Sequence, residues 1–357
     1  MAEGPGRHDV AIVSTAVHQV EAFTGVNEVQ LMVGLINQAR EAAGLTQAEV
    51  GFTCSGSSDF LAGQAFSFVQ TLDAVGAFPP ISESHVEMDG AFALYEAWVK
   101  LQIGEVDTAL VYSYGKPSAG SVRDVLALQL DPYYLAPLWP DAHALAALQA
   151  RLLLESGRAT PETMAQVAVR SLHNATTNAN AVRASATATV DQVLDTLPVA
   201  DPLRPADLAQ VADGGCAVVL ARGQRARSLC DRPAWIRGID HRIDSHALGA
   251  RDLTRSKSAA VAAGMAGVSS DRLDIAEIHG STTSQELILE QELGITPATA
   301  VNPSGGALAA DTLMASGLIR IAKAADRVSD GSADRALAHA TSGPCLQQNL
   351  VCVLEGD

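Results

Sequence analysis

The sequence predicts a duplicated α/β fold: two βαβαβαββ halves in five layers, α-β-α-β-α, with a capping insertion between them. Three observations carry it. Short apolar runs of strand type alternate with runs of helical period from residue 9 to 116, and again from 234 onward. Residues 117–204 break that rhythm with clustered aromatics, prolines and polar residues. The halves also echo each other. "GAFALYEAWVKLQIGEVDTALVYSYG" and "GALAADTLMASGLIRIAKAADRVSDGSADRALAHATSG" both run from glycine through an apolar helix and an Asp-bearing spacer into a strand and a polar glycine turn, and "GFTCSGSS" parallels "AEIHGSTT".

Length and composition agree with this. A chain of 357 residues exceeds one ordinary core and divides into residues 1–205, with the insertion at 117–204, and 206–357. Nearly half the residues are apolar and few are aromatic, as in layered α/β proteins. The formal net charge of −16 argues against nucleic acid and anionic membranes as partners, and any anionic ligand needs a local basic patch. The five cysteines, Cys54, Cys216, Cys230, Cys345 and Cys352, lack zinc or redox spacing, so no metal is expected. Their odd number suits a reducing compartment. "MAEGPGRHD" lacks an apolar signal region and no apolar run reaches the length of a membrane span, so a cytoplasmic protein is expected.

Taken in order, "DVAIVSTAV" (Asp9–Val17) is a buried strand. Asn27 caps a helix over Glu28–Ala43 that Gly44 stops. Val50–Cys54 is a strand running into the polar loop "SGSSDFLAG", and Ala65–Val75 is a helix. Strands near His85–Glu87 and Thr108–Tyr114 flank a helix over Ala91–Ile103. Within the insertion, His143–Glu155 and Pro161–Asn174 are helical, the second with Pro161 in its first turn, and "NATTNANAVRASATATV" is a surface segment. Asp213–Ala221 is a strand and "RGQRARSLCDRP" a basic loop. The second half then reads strand ("AWIRGIDHRID"), helix (Leu253–Ala266), strand (Leu273–His279), the loop "GSTTS", helix (Glu286–Leu293), then strand, glycine turn and helix through "AVNPSGGALAADTLMASGLIRIAKAADRV". Two closing strands follow.

The stretch "SHVEMDGAFALYEAW" presents Glu87 at a strand-to-helix elbow, where helix N-terminal amides favour a reactive or anionic group. Asp89 reads equally as an N-cap, and a buried Glu87 beside Asp89 and His85 as a general acid or base with a raised pKa. His279 ends a buried strand in a Gly, Ser and Thr loop and is the strongest single candidate; a histidine satisfied within the core is the competing reading. Ser281, Thr282 and Ser284 read as helix caps. His339 lies in a strand near the pocket rim, and Cys345 in a glycine turn. In "NPSGG", Ser304, Gly305 and Gly306 form a tight turn that permits close ligand approach. The duplication brings the ends of equivalent strands, Cys54 with His279 and Glu87 with Pro303, near one central pocket.

The motifs "EIHGSTTSQELI", "NPSGGALAADTLMASGL", "DGGCAVVL" and the elbow stretch resemble the thiolase superfamily over essentially the whole chain. Within it they are most similar to the SCP-x branch and to the lipid-transfer-protein thiolase homologues of actinobacterial steroid side-chain degradation. The resemblance implies the thiolase fold and a coenzyme A thioester as substrate. It also implies a homodimer or a heterodimer with a thiolase-like paralogue, and in this branch a small OB-fold and zinc-ribbon partner. Glu87 stands in the slot of the family's nucleophilic cysteine, and Asp311 or Thr312 in that of the histidine that activates it. His279 keeps the slot of the histidine that organises the thioester oxygen, and the second cysteine's slot falls near Ala340–Thr341. Steroid side-chain aldolases of the branch carry tyrosines near the slots of His279 and Thr341.

Three functions follow from this pattern. One is retro-aldol cleavage of an acyl-CoA, which needs a base and an oxyanion site but no thiol. The second is a catalytically degenerate subunit of a heteromeric complex. The third is acyl transfer with Cys54 or Cys345 recruited as nucleophile. Arg123, Arg151, Arg158 and Arg170 of the insertion are the candidate cations for coenzyme A, against the simpler reading of solvated helix faces.

Overall fold

The computed structural model describes residues 9–23, 25–268 and 272–357; the segment 1–8, where a targeting signal was looked for, lies outside them. The first half opens with β1 (Val10–Val20) and α1 (Glu28–Ala42). Asn27 and Gln30 close a reciprocal capping box at the start of α1, and Leu31, Met32, Leu35, Ile36 and Ala39 form its buried stripe. Next come β2 (Phe52–Gly56), α2 (Asp59–Ala62) and α3 (Val69–Val75). The helix expected from Ala65 starts four residues later. The Asp59 carboxylate takes the amides of Phe66 and Ser67 at 2.9 and 2.8 Å, and Phe66 adopts φ +58. β3 (Glu83–Val86), α4 (Gly90–Gln102) and β4 (Thr108–Gly115) follow.

The insertion carries α5 (Val122–Leu128), α6 (Ala142–Glu155), α7 (Pro161–Asn174) and α8 (Val190–Leu194). It departs from the β4–β5 connection, β5 being Asp213–Arg222. The expected basic loop after β5 folds instead into α9 (Gly223–Leu229), because Ala226 is buried while Arg225 and Arg227 turn outward to Glu49 and Asp357.

The second half contains β6 (Ala234–Ile243), α10 (Lys257–Met265), β7 (Ile275–Glu277), α11 (Thr283–Glu292), β8 (Ala300–Val301), α12 (Gly306–Ala309), α13 (Ser316–Ser329), β9 (Arg335–Ser342) and β10 (Gln348–Glu355). α10 begins later than read because Asp252 folds Thr254 into a local turn and Ser256 supplies the cap. β7 ends two residues early, because the Ile278 amide leaves the ladder for the Asn302 side chain at 2.6 Å. α11 starts three residues early, capped by Thr282.

Among the described residues the strands join one ten-stranded sheet in the order β3-β2-β4-β5-β1-β6-β10-β9-β7-β8. Counted outward from the β1–β6 seam, the two halves have the same order of equivalent strands, so the duplication read from the sequence is a topological fact. The seam is narrow: Ala11 pairs with Trp235 and Ile12 with Ala234. β5 pairs with β1 and β4, so it joins the strands of the first half. The insertion's counterpart in the second half is the tight turn between β9 and β10.

The layers follow from strand alternation. In β4, Ala109 and Val111 face α4 and α13, whereas Leu110, Tyr112 and Tyr114 face α1 and α3. In β9 and β10, Ala338, Ala340, Leu350 and Cys352 face the same central helices, and Leu337, Val351 and Val353 face α10 and α11. The result is α-β-α-β-α, with α4 and α13 as the shared middle layer. Among the described residues no helix is long and apolar enough to cross a membrane.

Candidate functional site

The elbow before α4 divides its two acids differently from the expectation. Glu87 is not a buried carboxylate: its side chain is 48% exposed, 3.5 Å from His85 Nε2, and accepts the Asp59 amide at 2.6 Å. Asp89 is the buried one. It caps α4 through the Ala91 amide at 2.8 Å and also takes the Gly317 and Leu318 amides at 2.7 and 3.0 Å. One carboxylate therefore ties together the N-termini of the two central helices. Burial pushes its pKa up to about 7, against three amide hydrogen bonds that hold it down. With both oxygens occupied, Asp89 is a structural acid. Cys54 faces the central helices and Glu87 faces solvent, so neither strand end turns toward His279.

His279 follows β7 and is 5% exposed. Its Nδ1 accepts a long hydrogen bond, 3.5 Å, from the Thr341 amide of β9. A backbone N–H can only donate, so the ring proton sits on Nε2. Nε2 lies 3.8 Å from Asp311 Oδ1, too far for a good hydrogen bond and near enough for both groups to reach one substrate. Burial lowers the His279 pKa, the Asp311 charge opposes this and nearby Arg320 reinforces it, so the ring is neutral at pH 7.

Asp311 is 3% exposed and stands in one of the two positions the sequence offered for the activating base. Its Oδ1 accepts the Leu313 amide at 3.0 Å and the Ser316 hydroxyl at 2.6 Å. Its backbone is gripped from the first half by Gln210 and Ala212, at 2.7 and 2.9 Å. The surrounding loops hold non-glycine residues in the left-handed region: Asn302, Leu313, Cys345 and Leu346, at φ +47, +52, +55 and +59. Such strain gathers where a site is held in shape by its surroundings.

The other candidates lie apart from this pair. Thr312 turns away: its hydroxyl accepts Gln19 Nε2 from β1 at 2.8 Å, and its amide donates to Ser316. His339 is not at a rim but fully buried, with Nε2 3.0 Å from Asn349 Oδ1, and burial lowers its pKa to about 3. Ser304 bonds Glu277 at 2.7 Å inside a buried pair with Arg320, so its hydroxyl is engaged. Gly305 and Gly306 take φ +91 and +65; a Cβ on Gly305 would stand 2.7 Å from Ala175. What Gly305 admits is the residue that caps α7, and what Gly306 admits is the Asn302 side chain, rather than open space for a ligand. Arg123 is paired with Asp141 and Arg151 with Asp201, both at the surface of the insertion. Arg158 reaches Gln291, and Arg170 bonds Glu286 and Glu290 at 3.0 and 2.6 Å.

Four of the five thiols are buried, which makes them poor nucleophiles. Burial pushes Cys54 up to about 12 and Cys345 up to about 11, and raises Cys216 and Cys352 as well. A surface hollow of about 470 Å³ lies beside edge strand β8, between Arg170, Ile295 and Pro303, away from His279.

Sequence reasoning passed over Asn302 and Glu286. Asn302 precedes the proline of "NPSGG", and its left-handed backbone is one that Asn tolerates; that was the available signal. Glu286 gave none, since a glutamate in a helix reads as a solvated face.

No protein-family model matches the chain. It is 31% identical over 156 residues to an acetyl-CoA acetyltransferase of Methanothermobacter thermautotrophicus, covering 42% of this chain and 40% of that protein. It is 27% identical over 261 residues to an acetyl-CoA acetyltransferase of Methanocaldococcus jannaschii, covering 65% and 66%. The matched stretches thus span less than two thirds of either relative. Among solved structures it superposes on an Ltp2-ChsH2(DUF35) aldolase with TM-score 0.81 and 21% identity, over 99% of this chain and 98% of that one. It superposes on human mitochondrial 3-ketoacyl-CoA thiolase with TM-score 0.78 and 17% identity, over 98% of each. The fold is the thiolase fold.

Proposed function

We propose that the chain is a carbon–carbon lyase that cleaves a β-hydroxyacyl-CoA by a retro-aldol reaction. The observation that carries this reading is the pair of His279 Nε2–H and the Asp311 carboxylate, 3.8 Å apart, in a chain with four of its five thiols buried. Asp311 takes the proton of the β-hydroxyl. The Cα–Cβ bond breaks, its electrons move onto the thioester as an enolate, and a ketone or aldehyde is released. His279 Nε2–H donates to the enolate oxygen, and the proton held by Asp311 returns to Cα to give the shortened acyl-CoA. His279 thus acts as a donor rather than as the base, because its Nδ1 already accepts the Thr341 amide. Similarity to the aldolase and to acetyl-CoA acetyltransferases supports a coenzyme A thioester substrate. The sequence motifs support a steroid side chain as the acyl group.

The test is product analysis by mass spectrometry on a panel of β-hydroxyacyl-CoAs. Asp311→Asn is expected to lower kcat by about 10²- to 10⁴-fold. His279→Ala is expected to abolish cleavage, with the fold intact by circular dichroism. Undiminished turnover in either variant removes that residue from the mechanism. An acyl adduct on intact protein would favour covalent transfer instead.

A second reading, one subunit of a heteromeric assembly, draws on the two-component aldolase. It also draws on the exposed Phe60, Phe66, Val69 and Phe78, in the segment leading into edge strand β3. A homodimer that cleaves the β-hydroxyacyl-CoA at full rate without a partner would remove it.

A further inference from the structure

His279 stands on a loop held on either side by two hydrogen-bonded buried side chains, Glu286 and Asn302. Gly280, the residue after it, has Glu286 Cγ 2.7 Å from where a Cβ would lie, so only glycine fits there. Ile278, the residue before it, donates its amide to Asn302 Oδ1 at 2.6 Å, and Asn302 Nδ2 donates to Glu286 Oε1 at 2.9 Å. Glu286 Oε2 accepts Arg170 of α7 at 3.0 Å. Both Asn302 and Glu286 are buried, and the Asn302 carbonyl is held from α7 by Asn174 Nδ2 at 2.9 Å.

We propose that Glu286 and Asn302 are positioning residues for His279, forming a clamp through which α7 of the insertion sets where the imidazole points. This rests on the retro-aldol reading of His279. The physical reason is direct. A strand that ends early has lost its ladder bonds, and the backbone beyond Glu277 keeps its course only if side chains replace them. Asn302 supplies the acceptor, Glu286 fixes Asn302 and fills the space beside Gly280, and Arg170 orients Glu286. A carboxylate buried this deeply, with a pKa of about 7, depends on that guanidinium.

Exchanging donor and acceptor tests the clamp. Asn302→Asp sets two carboxylates against each other. The double change Asn302→Asp with Glu286→Gln reverses the hydrogen bond and restores it. Two readouts are taken on folded protein: the ring nitrogen shifts of His279 by NMR, and kcat and KM separately.

In Asn302→Asp we expect the His279 ring signals to move and kcat to fall by about 10- to 100-fold at unchanged KM. We expect both to return in the double variant. If Asn302→Asp does not fold, Arg170→Ala, which frees one oxygen of Glu286, is expected to shift the same signals. Unmoved His279 signals in a folded Asn302→Asp, or in Arg170→Ala where that single variant does not fold, would overturn the clamp. So would a folded double variant that fails to restore them. The NMR arm needs no turnover, so it separates failure of the clamp from failure of the proposed reaction.

Discussion

Two buried histidines, His279 in the site and His339 near it, respond to acid in the same direction. His339 has a folded pKa of about 3 against 6.5 ordinarily. Between those values the unfolded chain holds a proton that the folded chain does not. The stability this ring contributes is therefore complete above about pH 6.5 and is lost as pH falls toward 3, amounting to several kcal/mol over the window. Urea titrations at pH 7 and pH 5 should show a lower midpoint at pH 5, and a His339→Asn variant should show a smaller difference. His279 is also shifted down, so it keeps its single Nε2 proton through neutral pH. An NMR titration of the His279 ring should then show no inflection near pH 6.5; an inflection there would mean that His279 titrates as an ordinary exposed base.

At the level of elements, the middle layer depends on Asp89. Its carboxylate satisfies one amide of α4 and two of α13. Asp89→Ala leaves three buried N–H groups unpaired, each costing about 1–3 kcal/mol, so a loss of roughly 3 kcal/mol or more is expected in denaturant titration. A change below about 1 kcal/mol would mean that water replaces the carboxylate there. Because the folded pKa is raised, the acid form is favoured in the native state. Whatever stability this shift confers is present at low pH and is lost as pH rises through about 7.

Across the whole molecule, the two halves share one core rather than meeting at a surface. Residues from β2, β4 and β5 and from β6, β9 and β10 pack on the same pair of helices. Thermal unfolding should therefore be one transition, with calorimetric and van't Hoff enthalpies equal. Two resolved transitions would show that the narrow β1–β6 seam and the middle layer do not couple the halves. The insertion belongs to this unit as well: Ser171, Asn174 and Asn178 bond the backbone of the "NPSGG" turn.

The sequence by itself determined the layered architecture, the duplication and the position of the insertion. Those depend on apolar period and on glycine and cap residues, which are local and additive along the chain. It also marked His279, because a histidine at the end of an apolar strand in a Gly and Ser loop is visible in one dimension. The tertiary structure alone decided which of Glu87 and Asp89 is buried, since two residues on an elbow differ only in what packs above them. It alone gave His279 the tautomer that makes it a donor, through an amide 62 residues away. And it alone set Glu286 and Asn302 around that histidine. Their role depends on hydrogen bonds between elements far apart in the chain, and neither residue type nor period encodes such contacts.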